Sequence, residues 1–84
     1  MLLGRVVGTL VATQKDEKLE GFTLLVVKRL NIENEETGDY VIAADAVQAG
    51  VGDTVMYATG SSARQTILTD KKPCDAVLMA VVDT

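Results

Sequence analysis

The tightest constraint on how this chain can fold is the alternation that begins at its second residue. Through "LLGRVVGTLVAT" the even positions read Leu2, Gly4, Val6, Gly8, Leu10 and Ala12, while the odd positions admit Arg5, Thr9 and Thr13. A period of two sends successive side chains to opposite faces, which is the pattern of a strand. Gly4 and Gly8 fall on one face of it. Missing side chains there let a strand bend sharply or another backbone approach closely, as a curled sheet or small barrel requires.

Four more apolar segments follow. "TLLVVKRL" (Thr23 to Leu30) is apolar on both faces at its centre, so it reads as a strand covered on two sides. "NIENEETGD" reads as a hairpin loop in which Gly38 supplies the turn. "YVIAAD" is a third strand, "AVQAGVGD" a turn with two glycines and an aspartate, and "TVMYAT" (Thr54 to Thr59) a fourth strand. "DAVLMAVVD" (Asp75 to Asp83) is the fifth. Between the fourth and fifth, Ser62 and Gln65 fit the S-x-x-Q capping box, which predicts one short helix. Five strands, one short helix and no sustained helical period predict an all-β domain, and a small five-stranded barrel of the OB type is its natural closure.

With 84 residues the chain is read as a single domain, 1–84, with a modest core. Yet 48% of its residues are hydrophobic, an excess that suggests apolar surface covered by another subunit. Apolar runs such as "LLVV" are far too short for a membrane helix, and Arg5 interrupts an N-terminus that does not resemble a signal peptide. A lone Cys74 forms no internal disulfide, which agrees with a reducing, cytoplasmic setting. Twelve acidic against eight basic side chains, a net charge of −4, give no electrostatic attraction to phosphate backbone or anionic lipid.

The stretch with the most chemical promise is "GSSARQT", Gly60 to Thr66. A serine nucleophile at Ser61 or Ser62 requires a base, and the chain has no histidine, no S-x-x-K and no G-x-S-x-G elbow. Gly60 and the amides after it, helped by Arg64, suit an anion in principle, but the lysine and spacing of a nucleotide loop are missing. "GVGDTV" fails the dinucleotide pattern because Val55 stands at the third glycine position. Asp39, Asp45 and Asp53 stand at strand ends, where aspartate closes turns by accepting from nearby amides, so a structural reading is preferred to a metal site. No catalytic residue, cofactor or metal is expected. An OB-type binding module for single-stranded nucleic acid is the alternative, but Phe22, Tyr40 and Tyr57 are the only aromatics and the charge has the wrong sign. What remains is the profile of an assembly subunit.

The segments "LGRVVGTLVAT", "LEGFTLLVV", "AADAVQAGVGDTV", "GSSARQ" and "CDAVLMAVVD", in that order, resemble the vertex proteins of bacterial microcompartments, the EutN/CcmL family. The likeness spans nearly the whole chain. It implies an OB-like barrel that assembles into a cyclic homopentamer in the bacterial cytoplasm. There it occupies the fivefold vertices of a shell otherwise tiled by hexamers and supplies the curvature that closes it.

The same resemblance implies that Gly60, Ser61, Ser62, Ala63 and Arg64 lie at the contact between neighbouring subunits. The alternative for them is a helix cap and a solvated arginine within one subunit. It also implies that Gly50, Val51, Gly52 and Asp53 form a tight turn near the barrel rim, lining the axial pore or facing a hexamer. Gln48 departs from the family pattern, which usually has glycine there; Cys74 and Ala80 depart where an aliphatic and a glycine are usual.

Overall fold

The computed structural model describes residues 1–10, 23–60 and 76–83. These contain five strands: β1 (Leu2–Leu10), β2 (Thr23–Leu30), β3 (Glu36–Asp45), β4 (Thr54–Thr59) and β5 (Ala76–Val81). They form a closed barrel in the order β1-β2-β3-β5-β4, with β4 returning to β1. The β3–β5 pair, through Ala44 and Val77, is parallel, and the other pairs are antiparallel. The expected all-β, five-stranded barrel is therefore the observed fold. The predicted short helix, the charged stretch of residues 14–21 and Cys74 lie outside the described residues.

Alternation builds the interior. Val6 from β1, Leu25 and Val27 from β2, Ala43 from β3, Val55 and Tyr57 from β4, and Leu78 from β5 pack together, each at most 2% exposed. Burial of each large side chain contributes roughly 1.5–3 kcal/mol. The continuous apolar runs have a second use, since Ala44, Ala58 and Val77 are buried together on the other face of the same strands. This explains why β3, β4 and β5 show no clean polar face.

Bulges decide which residues face inward, and one of them overturns a sequence expectation. In the β1–β2 ladder Val6 is opposite Val27 and Gly8 is opposite Val26, which leaves Val7 as an extra residue. The shift moves Gly8 to the outer face while Gly4 remains inside, so the two glycines do not share a face. Their surroundings differ accordingly. A Cβ at Gly4 would overlap Val27 Cγ1 and stand 2.9 Å from Tyr57 Cε1, whereas one at Gly8 would meet nothing within 4 Å.

The β2–β3 hairpin also differs from expectation. Its turn falls at Asn31–Glu35, and the residue with positive φ is Asn34 (68°). Asn31 Oδ1 accepts from the Glu33 and Glu35 amides at 2.9 and 3.0 Å, an Asx arrangement that substitutes for a glycine turn. Gly38 does have φ 98°, but it lies inside β3, where Thr37 to Asp39 bulge opposite Arg29. There Thr37 Oγ1 donates to the Arg29 carbonyl and the Arg29 guanidinium lies 4.0 Å from Asp39. Asp39 thus joins an exposed ion pair within a strand and does not close a turn.

Candidate functional site

The segment joining β3 to β4, from Ala46 to Asp53, is held at both ends by aspartates. Asp45 Oδ1 accepts from the Val47 amide at 3.0 Å and the Ala49 amide at 3.2 Å. Asp53 Oδ2 accepts from the Gly50 amide at 2.7 Å, while the Asp53 amide donates to the Gly50 carbonyl at 3.0 Å. Gly50 to Asp53 is therefore a tight turn closed from both sides, and the turn-closing role expected of Asp45 and Asp53 is seen. Two residues in the segment have left-handed backbone, Gly52 at φ 96° and Gln48 at φ 59°. Position 48 is the one where the resemblance implies a glycine, and its backbone has the conformation that glycine adopts without steric cost.

This turn is fastened to the barrel. The Gly52 amide donates to the Val6 carbonyl at 2.8 Å, and the Val6 amide donates to the Asp53 carbonyl at 3.0 Å. Both bonds are made immediately before the β1 bulge, so the turn extends the pairing with β1 to the residues just before β4 begins. Val51 is left at the tip with 64% of its surface exposed, and Gly50 and Gly52 are also exposed.

Gly60 is exposed directly after β4 with φ 62°. Ser61, Ser62, Ala63 and Arg64, the remainder of the expected contact loop, lie outside the described residues.

The outer face of the barrel carries a pattern that sequence alternation alone does not reveal. On one side Gly8, Val26 and Ile42 stand in register across β1, β2 and β3, beside the exposed Leu10. On another side Leu3, Met56 and Ala80 stand in register across β1, β4 and β5, next to the exposed Met79. Between these two apolar rows runs a third, Tyr40, Lys28, Arg5 and Thr54. Lys28 is paired with Glu36 at 3.3 Å, and Arg5 makes no ion pair among the described residues.

The two described tyrosines differ in environment. Tyr40 is 66% exposed on the polar row, whereas Tyr57 is buried. Burial raises the Tyr57 phenol above its ordinary value, with Arg29 opposing and Asp39 reinforcing the shift. A platform of stacked aromatics, which a single-strand binder uses, is absent among the described residues. Those residues bring no three metal-ligating side chains together, and none of their helices is long and apolar enough to cross a membrane.

Comparison with known proteins agrees with the geometry. The family model described as "Ethanolamine utilisation protein EutN/carboxysome" matches residues 1–83. The bacterial microcompartment shell vertex protein GrpN of Rhodospirillum rubrum is 44% identical over 84 residues, covering 100% of this chain and 94% of that protein. A solved structure of GrpN, described as a pentameric microcompartment shell protein, superposes with a TM-score of 0.90 at 43% identity, covering 100% of this chain and 95% of the other. The structure of CcmL from Nostoc gives 0.95 at 39% identity, covering 100% and 90%. On this full-length likeness in sequence and fold, the chain belongs to the EutN/CcmL family.

Proposed function

We propose that this chain is a structural shell subunit: a homopentamer at the fivefold vertices of a bacterial microcompartment, in the bacterial cytoplasm. The observation that carries the reading is the pentameric state of GrpN, whose relationship to this chain covers all of it at 43% identity. The outer face of the barrel supports it, because two uncharged apolar rows are what a subunit with neighbours on two sides presents. The 84 residues act as one vertex domain, and the role is geometric, not catalytic. A plane of hexamers cannot close into a polyhedron without fivefold defects, and hexameric shell proteins are the proposed partners around each pentamer.

Within this reading Gly60, Ser61, Ser62, Ala63 and Arg64 contribute to the contact between subunits. The positive φ of Gly60 supports a sharp turn there, small side chains permit close approach, and Arg64 donates to carbonyls or a carboxylate of the neighbour. Gly50, Val51, Gly52 and Asp53 form the rim turn, with its tip Val51 open to a neighbour or to the axis.

Co-expression with a hexameric shell protein tests the function. Electron microscopy should show closed polyhedra when this chain is present and open sheets or tubes without it. Identical open assemblies in both cases would refute the vertex role. The Arg64→Ala change should weaken the pentamer more than it weakens the barrel, and unchanged subunit dissociation would return Arg64 to a role within one subunit.

A further inference from the structure

We infer that the two outward apolar rows are the unlike halves of one contact, so that the Val26–Ile42 face of each subunit is covered by the Leu3–Met56 face of the next copy. This rests on the pentameric reading and says which surfaces carry it. Five copies cannot close through a twofold contact in which one patch meets itself. A fivefold ring is heterologous, and each subunit must present two different complementary patches.

The barrel presents two such patches and keeps them apart. One is centred on β2 and the other on β4, which lie on either side of β1 in the barrel order. Arg5, standing in register between Lys28 and Thr54, separates them with a polar row. A single neighbour cannot cover both patches without burying that row, where Arg5 lacks an ion pair among the described residues and burial of an unpaired charge is costly.

The chemistry of the two faces is complementary. Val26 and Ile42 are β-branched, with few rotamers, and present a surface of fixed shape. Met56 and Met79 have several rotatable bonds and fill irregular gaps. Neither row contains a charge, as is usual at the centre of a stable interface. Ile42 and Met79 are both exposed in the isolated subunit, so each row has apolar area left to bury.

A complementation experiment separates this inference from the pentamer itself. Wild type, Ile42→Lys and Met56→Lys are compared by native mass spectrometry, with circular dichroism and thermal melts reporting the fold. Wild type lacking a pentamer would overturn the vertex reading. With wild type pentameric, each lysine variant alone should lose the pentamer and run as a folded monomer. An equimolar mixture of the two should form a heterodimer, because one variant keeps an intact β4 face and the other an intact β2–β3 face. Variants that remain pentameric, or a mixture that stays monomeric, would overturn the inference while leaving the pentamer in place. If a lysine variant fails to fold, Ile42→Ala and Met56→Ala replace the pair. Each should raise the subunit concentration needed for half-assembly about tenfold, as truncation of a central contact residue does. No change in either would overturn the pairing.

Discussion

Gly4 and Tyr57 share one space inside the barrel: the Tyr57 ring occupies room that any side chain at position 4 would need, with Cε1 2.9 Å from where a Cβ would stand. The Lys28 carbonyl lies 3.1 Å from the same point, and Val27 closes the other side. Gly4 is therefore required by packing and not by an unusual backbone angle. Replacing it with alanine should destabilise the barrel by about 1–3 kcal/mol, the usual cost of overpacking. Denaturant titration at matched chain concentration checks this. In a Val27→Ala background the penalty should be smaller, since the nearest obstruction is gone and neighbouring substitutions couple.

Tyr57 also links stability to alkaline pH. Burial holds its phenol neutral to a higher pH than the ordinary 10.0. Between the unfolded and folded pKa values the folded chain keeps a proton that the unfolded chain has lost. The stabilisation is thus fully present below about pH 10 and is lost as pH rises through the folded value. Denaturation midpoints followed from pH 8 upward should fall more steeply for wild type than for Tyr57→Phe above pH 10. Parallel profiles would assign the decline to other groups.

Gln48 is a non-glycine residue at φ 59° in the segment that leads to the rim turn. Its left-handed backbone costs energy that glycine avoids, offset in part by the greater freedom of glycine in the unfolded chain. The Gln48→Gly change should raise stability by about 0.5–1 kcal/mol, read as an upward shift in melting temperature with the assembly state unchanged.

The aspartates that hold the same segment should behave differently from the other surface carboxylates. Asp45→Ala frees two amides, those of Val47 and Ala49, and Asp53→Ala frees that of Gly50. Each should cost about 1–2 kcal/mol, as loss of a charged acceptor bonded to backbone amides does. Hydrogen exchange should accelerate at those amides. Glu33, exposed in the β2–β3 hairpin, has no such side-chain bond, and its alanine variant should change stability by less than about 0.5 kcal/mol.

The strands were the legible part of this sequence, because alternation and turn residues are local signals. β2 and β4 begin and end where their apolar runs do, and Asp45 and Asp53 act at the turns as aspartates usually do. What local pattern does not contain is the pairing between strands. The extra residue Val7 reverses the faces of Gly4 and Gly8 only through its register with β2, and Gly38 becomes a bulge only opposite Arg29. β3 starts at Glu36, four residues earlier than its apolar run at Tyr40, because Glu36 pairs with Leu30 across the hairpin, a partner that the local pattern does not name. The two outward rows were hidden for the same reason, since each draws residues from three strands that only their pairing brings into line.

Native mass spectrometry of the wild-type chain is the most direct test of the central claim. A pentameric subunit should give a dominant species of five chains that dissociates to folded monomers. A stable monomer, or a hexamer, as the only species would contradict it.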